Sequence, residues 1–226
     1  RVLFRSALIS QVIIDEVPPK DPPLAPSNKF IIAPGFLSGT AVPCSGKMSL
    51  GGKSPLTGGV KESNVGGRAP WYIGRMGFRA IIVENIAKDW KILVLEEGKA
   101  RLECASMVIG KNNYDTVKIL LDKYGKRVGV FSIGVAGEKM LTGASIASCD
   151  ISGHPSRHAG RGGLGALLGS KKLKAVVVIP PKESKIEYHD KESFLNSAKA
   201  WFKEKHDATR WFSRMGTNVG LALINE

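Results

Sequence analysis

The chain has 226 residues, of which 43% are hydrophobic and 23% are charged, a balance that is typical of an ordinary globular protein. No apolar run approaches the roughly 18 residues that a membrane-spanning helix needs, and no secretory signal is visible. We therefore expect no membrane partner and a cytoplasmic location. The net charge of +13 lies almost entirely in residues 1–181, which carry 25 Lys and Arg against 13 Asp and Glu.

Such an excess of positive charge favours an anionic partner, either a polyphosphorylated ligand or a nucleic acid. Aromatic residues make up only 7% of the chain, and no RNA- or DNA-binding module is recognisable. We therefore expect no nucleic-acid partner, and a non-enzymatic phosphate- or nucleic-acid-binding basic module is the alternative function. The three cysteines form no C-x-x-C pair, which excludes a zinc ribbon or a complete iron–sulfur site within this chain.

The first third of the chain predicts a helix, a connector and a glycine-rich region. Apolar residues near helical spacing predict a helix over residues 2–17, which the Pro18-Pro19 pair ends. Residues 20–28 contain three prolines and predict a stiff extended connector. Residues 35–67 hold nine glycines with apolar residues between them, and this mixture favours an ordered loop-and-strand region that holds a ligand.

Short strands and helices follow in irregular order. Pro70 is placed as the first residue of a helix that Gly77 ends, and Asn112 or Asn113 caps another that ends at Gly125. A hairpin turn is expected at residues 96–99 and a glycine turn at 134–138. Strands are predicted over residues 30–33, 80–83, 91–95, 100–104, 127–133, 143–148 and 175–179.

This order of elements predicts an α+β fold with two packed mixed or antiparallel β-sheets and a few short helices. After Pro180-Pro181 the composition changes, with an amphipathic helix around residues 194–202 and a second helical piece over 221–224. We therefore predict one α+β domain over residues 1–181, truncated at its N-terminus. Residues 182–226 are expected to be the truncated beginning of a helical, cluster- and substrate-binding region.

Residues 156–179 carry the strongest chemical signal in the chain. A glycine-rich segment follows Arg157 and Arg161, and Lys171, Lys172 and Lys174 come after it. Glycines let backbone N–H groups approach a ligand, and guanidinium groups match phosphate geometry. A short helix over residues 164–168 would point its N-terminus at an anion. The segment therefore predicts a phosphate site.

A dinucleotide fingerprint is the rival interpretation of this segment, because Gly160, Gly162 and Gly165 match G-x-G-x-x-G. That motif follows a strand and opens a full helix. Here no clear strand precedes the glycines, and only a turn or two of helix fits before the valine-rich strand. We therefore do not expect a dinucleotide site.

Four phrases in a fixed order resemble one family. They are Pro55–Gly58, Ser63–Gly67, Ile133–Glu138, and Arg157–Ala166 with its trailing Gly169–Lys171. Their order and spacing resemble the N-terminal domain of the tungsten-containing aldehyde ferredoxin oxidoreductases, from about Leu8 to Val178. The resemblance implies a domain of two β-sheets that forms the base for a tungsten bis-molybdopterin cofactor.

The resemblance also implies the site residues, none of which is catalytic. The cofactor-binding residues are Lys47, Asn64, Gly66, Gly67, Arg157, His158, Gly160, Arg161 and Gly162. The backbone carbonyls of Asn64 and His158 would hold a magnesium ion that bridges two phosphates, which suits a hard cation. Lys47 stands where the family carries an arginine between the pterin and the iron–sulfur cluster. Lysine keeps the positive charge but lacks the planar guanidinium that can donate two parallel hydrogen bonds.

For the whole protein, the resemblance implies oxidation of an aldehyde to a carboxylic acid. Two electrons would leave through tungsten and a [4Fe-4S] cluster, whose ligands are not in this chain, to ferredoxin as partner. A homodimer is possible, and this fragment is not expected to be active by itself. We further expect segments 64–67 and 157–163 to meet on one face shared by Asn64 and Arg157, because phosphates bridged by one ion lie only a few ångströms apart.

Overall fold

A computed structural model of the chain describes residues 5–216 and residue 220. The helices are α1 (Ser6–Glu16), α2 (Arg68–Arg75), α3 (Asn113–Tyr124), α4 (Val135–Glu138), α5 (Leu164–Ser170), α6 (Lys191–Ala208) and α7 (Arg210–Met215). The strands are β1 (Phe30–Pro34), β2 (Lys47–Lys53), β3 (Val60–Gly66), β4 (Ile81–Val83), β5 (Lys91–Glu96), β6 (Lys99–Cys104), β7 (Gly129–Ser132), β8 (Ile146–Ser148), β9 (Arg157–Ala159) and β10 (Leu173–Val178). Within this described part of the chain, none of the helices has the length and apolar character that crossing a bilayer requires.

The first sheet has the strand order β3-β2-β1-β4 and is antiparallel throughout. Every residue of β1 is buried, as its apolar sequence predicts. β2 and β3 form a hairpin whose turn is closed by Ser54: its N–H donates to the Gly59 carbonyl, and its carbonyl accepts from the Gly58 N–H, both at 2.8 Å. This hairpin leaves β3 at the edge of the first sheet.

The second sheet has the order β6-β5-β10-β7-β8-β9. The apolar strand β10 lies at its centre, parallel to β5 and antiparallel to β7, and all other neighbours are antiparallel. β9 is therefore the edge strand farthest from β6. The predicted α+β fold with two mixed or antiparallel sheets is confirmed.

The core consists of three apolar layers whose members follow the alternation of the strands. The main cluster lies between the two sheets and includes Phe30, Leu50, Phe131 and Val176. The opposite face of the second sheet packs under α3, with Val94, Val130 and Val177 against Val117 and Leu120. The outer face of the first sheet packs under α1, with Ile31 and Ala33 against Ile9 and Ile13. The order of layers is helix, sheet, sheet, helix.

Residues 20–28 are not the extended connector that the prolines predict. The backbone N–H groups of Asp21, Ala25 and Asn28 each donate to the carbonyl three residues earlier, which makes a succession of tight turns. Proline favours the second position of such turns as much as extended chain. The carbonyls of this segment accept hydrogen bonds from two ammonium groups of the core, Lys53 and Lys171.

Three smaller differences concern element type and bounds. α2 begins at Arg68, two residues before Pro70, because the missing proline N–H costs nothing anywhere in the first helical turn. The expected glycine turn at 134–138 is one turn of helix, α4. A strand, β9, is present at Arg157–Ala159, where no clear strand was expected.

The chain divides into two compact units, residues 1–40 with 45–186 and residues 41–44 with 187–226. In the second unit, the Asp190 side chain caps α6 by accepting from the Ser193 N–H at 2.9 Å. Trp201, Phe202 and Trp211 are about half exposed there. The predicted helical piece at 221–224 lies outside the described residues, and the predicted domain boundary at residue 181 stays a prediction.

Candidate functional site

The two glycine-rich segments meet where the edge of the first sheet approaches the edge of the second. The Arg161 N–H donates to the Ser63 hydroxyl at 3.3 Å, and the Ser54 hydroxyl donates to the Gly162 carbonyl at 2.7 Å. We call this region, made of β3, β9 and residues 160–163, the edge junction. β3, which contains residues 64–66, is also in contact with β9, and this contact confirms the expectation that segments 64–67 and 157–163 converge.

The edge junction offers backbone groups that no strand uses. β3 and β9 each end a sheet, so one side of each strand has no neighbouring strand. Carbonyl oxygens on such an edge are ligands that a hard cation accepts. Among the described residues, no group of three or more His, Cys, Asp or Glu side chains is arranged to hold a metal ion, so a metal here would depend on these carbonyls.

The Asn64 side chain does not share a face with Arg157, which differs from the expectation. Val65 belongs to the main core, so alternation along β3 directs Asn64 to the outer face of the first sheet. There its Oδ1 accepts from the Ser49 hydroxyl and its Nδ2 donates to Glu62 Oε1, both at 3.0 Å. What Asn64 offers to the edge junction is its backbone, the group that the resemblance assigns to magnesium.

Arg157 is exposed and lies on the junction side of β9. Ala159, two residues on, belongs to the main core, so alternation directs Arg157 toward the first sheet. Its register partner on β8 is Ser148, a fully buried residue whose hydroxyl has no hydrogen-bond partner in the described part of the chain. A Cβ on Gly67 would lie 3.2 Å from that hydroxyl. The β8–β9 register therefore places Arg157 next to a buried serine whose hydroxyl lacks a hydrogen-bond partner in the described part of the chain.

The β2–β3 register pairs Lys47 directly with Gly66, and alternation from the core residue Met48 directs the Lys47 side chain to the outer face of the first sheet, the face of Asn64. Its ammonium-bearing side chain is exposed. Its carbonyl accepts from the Gly35 N–H at 2.8 Å and from the Ser38 hydroxyl at 3.0 Å. The backbone at Lys47 is thus fixed beside Gly66, while its charged side chain lies on the face opposite Arg157.

The four glycines assigned to cofactor binding divide into two kinds. A Cβ on Gly160 would meet nothing within 4 Å, and one on Gly66 only the Gly46 carbonyl at 3.6 Å. Gly67 and Gly162 have positive φ angles of 122° and 76°, and a Cβ there would lie 2.0 Å from the Cys149 carbonyl oxygen and 2.4 Å from Lys61 Cγ. The first pair leaves space for a ligand, whereas the second pair lets the backbone pack closely against Cys149 and Lys61.

His158 places its imidazole away from the edge junction. Alternation along β9 puts it on the face opposite Arg157, where its Nδ1 lies 3.1 Å from the Ser145 hydroxyl. As with Asn64, only its backbone is available at the junction. The assignments of Asn64 and His158 to magnesium stay predictions.

The three lysines that follow the glycine-rich segment all bond to protein groups, Lys172 through the Lys88 carbonyl at 2.7 Å. Lys171 and Lys174 are 1% and 0% exposed. The Lys171 ammonium donates to the Ala25 and Pro26 carbonyls at 3.1 and 3.0 Å, and the Lys174 ammonium pairs with Glu138. These bonds satisfy buried charge inside the fold.

The N-terminus of α5 does not face an anion either. The Gly165 N–H donates to the Ala144 carbonyl at 2.9 Å, and a Cβ on Gly163 would lie 1.9 Å from the Thr142 carbonyl oxygen. Protein carbonyls therefore occupy the position expected for a phosphate. The candidate phosphate contacts are limited to the edge junction itself.

Comparison with known proteins identifies the family. Residues 3–180 match the model of the aldehyde ferredoxin oxidoreductase N-terminal domain. The chain belongs to this family. It is 37% identical over 218 residues to the tungsten-containing aldehyde ferredoxin oxidoreductase of Pyrococcus abyssi and 36% identical over 222 residues to that of Pyrococcus horikoshii. Both alignments cover 95% of this chain and 35% of the relative, so the chain spans about a third of their length.

Two further proteins with other names are also similar to the chain. The chain is 27% identical over 216 residues to an aliphatic sulfonate oxidoreductase, WOR-like subunit, of Pyrococcus furiosus, which covers 88% of the chain and 32% of that protein. The solved active-site complex BamBC of benzoyl coenzyme A reductase with 1,5-dienoyl-CoA superposes with a TM-score of 0.74 and 30% identity. That match covers 80% of this chain and 27% of the other.

Sequence reasoning missed several residues that organise the junction. Asp150 and Arg68 hold the loop that leads into β9, and Ser49 and Glu62 hold the Asn64 amide. For Asp150 a signal was present, because an aspartate with serine and glycine two and three residues later is typical of a turn closed by the aspartate side chain. Arg68 has no such signal, since its partners are backbone carbonyls distant in sequence.

Proposed function

We propose that the chain is the cofactor-binding part of an oxidoreductase that converts an aldehyde and water to a carboxylic acid and passes two electrons to ferredoxin. Its role is to bind a tungsten bis-molybdopterin cofactor and magnesium at the edge junction. The observation that carries the proposal is the meeting of two edge strands, β3 and β9, beside Arg157. Membership of the aldehyde ferredoxin oxidoreductase family supports the chemistry.

The junction residues fit a polyanionic group that is held largely by backbone. Arg157 supplies a guanidinium that matches phosphate or pterin oxygens in a bidentate manner, and Arg161 adds positive charge. The open space beside Gly66 and Gly160 admits close approach, and the buried Ser148 hydroxyl is a hydrogen-bonding group in need of a partner. The bound cofactor supplies two-electron redox chemistry, while this chain holds and orients it.

The remaining parts of the proposal concern the whole protein. A [4Fe-4S] cluster, with ligands outside this chain, would carry electrons to ferredoxin. The whole protein is further proposed to be a homodimer and to lie in the cytoplasm. A second candidate reaction, reduction of an acyl-coenzyme A, is favoured by the similarity to the benzoyl coenzyme A reductase complex. Both reactions leave the cofactor-binding role of this chain unchanged.

The non-enzymatic nucleic-acid-binding alternative has lost part of its support. Lys29, Lys53, Lys171 and Lys174 are all buried, and their ammonium groups bond to protein carboxylates or carbonyls. Some of the positive charge that suggested a nucleic-acid partner is thus used inside the fold. The exposed positive charge at the edge junction suits a phosphorylated cofactor better than it suits a nucleic acid.

The proposal is tested by Arg157→Ala in the full-length protein, with tungsten measured by mass spectrometry and pterin by the fluorescence of its oxidised form. We expect at least about a tenfold loss of both, since a lost charged contact costs about 1.5–3 kcal/mol. Arg101→Ala is the control, because Arg101 lies on β6, at the opposite edge of the second sheet. Full cofactor content in Arg157→Ala would overturn the site.

A further inference from the structure

The loop between β8 and β9 is organised around one carboxylate. Asp150 Oδ1 accepts from the backbone N–H groups of Ser152 at 2.8 Å and His154 at 3.0 Å, and Oδ2 accepts from the Ser156 hydroxyl at 2.9 Å. The N–H groups of Asp150 and Ser156 both donate to the His154 carbonyl, at 2.9 and 2.8 Å. Because Ser156 immediately precedes Arg157, this carboxylate fixes the point at which β9 begins.

Arg68 holds the same loop from the side of the first glycine-rich segment. It follows Gly67 directly, and its backbone N–H donates to the Cys149 carbonyl at 3.4 Å. Its guanidinium donates to the Ile151 carbonyl, through Nε at 3.0 Å and also through Nη2, and to the Lys126 carbonyl through Nη1. Arg68 therefore ties the loop to segment 64–67 and is committed to protein carbonyls.

We propose that Asp150 and Arg68 are positioning residues that direct Arg157 toward β3. The inference rests on the proposed function, because it takes Arg157 as a cofactor contact. β9 has only three residues and pairs only with β8, so the loop before it is the element that sets its starting direction. With the carboxylate removed, water can satisfy the exposed loop donors, so the fold survives while the loop samples more conformations.

The charges around Asp150 support this role. Ser156, His154 and Ser152 donate to the carboxylate, the His154 imidazole lies 4.0 Å away, and these contacts outweigh burial and lower the pKa of Asp150. The carboxylate is thus ionised at neutral pH and accepts without donating. Asparagine at this position keeps one acceptor oxygen for the two backbone N–H groups, whereas alanine keeps none.

The test compares Asp150→Ala, Asp150→Asn and Arg157→Ala in the full-length protein. We expect Asp150→Ala to lower tungsten and pterin content about tenfold, and Asp150→Asn to restore it to within about twofold of the wild type. Trypsin should cut after Arg157 faster in Asp150→Ala than in the wild type, even without cofactor. Asp115→Ala is the matched control, because Asp115 is an exposed, hydrogen-bonded aspartate on α3.

The outcomes separate the two proposals. If Arg157→Ala loses cofactor while Asp150→Ala keeps it, the positioning role is overturned and the proposed function stands. If Arg157→Ala keeps its cofactor, the cofactor site itself fails. Equal losses in Asp150→Ala, Asp150→Asn and Asp115→Ala would show a general loss of stability and overturn the inference. Should Asp150→Ala not fold, Arg68→Met is judged by the same criteria, with Arg68→Lys as its conservative partner.

Discussion

The buried ammonium of Lys171 makes the stability of the first unit depend on pH above neutrality. Burial lowers the pKa of Lys171 from 10.5 to about 8, a shift that Glu84 opposes and Lys29 reinforces. The folded state therefore loses this proton at lower pH than the unfolded state does. Below pH 8 the cost of burying the charge is fully present, and it is relieved as the pH rises from about 8 to 10.5.

Linkage gives the size of the effect. The difference between 10.5 and about 8 corresponds to about 3 kcal/mol of unfolding free energy when integrated over the whole interval. Of this, about 1 kcal/mol is gained by pH 9 and about 2–3 kcal/mol by pH 10. The contribution of Lys171 thus rises with pH, opposite to that of a group whose pKa is raised on folding.

The assay is urea unfolding of the chain and of Lys171→Met between pH 7 and 10, followed by tryptophan fluorescence. Other titrations cancel in the difference between the two proteins, which should grow by about 2–3 kcal/mol over this range. Lys171→Arg should also lack the pH-dependent gain, because a guanidinium stays charged. A difference that is constant to within about 0.5 kcal/mol would refute the argument from burial.

Three other predictions concern stability and thiol chemistry. Gly163→Ala should lower the free energy of unfolding in urea by about 2–4 kcal/mol, because φ at Gly163 is +67° and the new Cβ would lie 1.9 Å from a carbonyl oxygen. Gly160→Ala, whose Cβ would meet nothing within 4 Å, should lower it by less than about 0.5 kcal/mol. Cys104 is exposed and the Ser106 hydroxyl lowers the pKa of its thiol, so Cys104 should react with a thiol reagent in the folded protein. Burial raises the pKa of the Cys149 thiol to about 11, so Cys149 should react only after unfolding. Asn112→Ala should lose about 1 kcal/mol of thermal stability with its cap, and an unchanged Tm would contradict that role.

Much of the first unit is predictable from sequence because its signals are local. The continuous apolar runs in β1 and β10 are typical of strands buried on both faces, and both are so buried. The turn at residues 96–99 and the cap at Asn112 depend on a few neighbouring residues. β9 was missed because its three residues have no apolar pattern; it forms by pairing with β8.

The candidate site was only partly predictable, since its details depend on contacts between distant residues. Nothing in the sequence distinguishes Lys171, whose partners lie about 145 residues away, from a solvated lysine such as Lys47. The face on which Asn64 lies follows from the register of the β2–β3 hairpin, which depends on the length of the turn at Ser54. The convergence of the two glycine-rich segments was predicted through the family resemblance and not through spacing.

The central position of β10 has a consequence for synthesis of the protein. β5 and β6 can pair as soon as they are made, and so can β7, β8 and β9, but these two groups are joined only by β10, the last strand of the sheet in chain order. A nascent chain that ends before Leu173 therefore exposes the apolar edges of β5 and β7. Because residues 160–163 lie just before β10, we expect the proposed cofactor to be inserted after this sheet is complete.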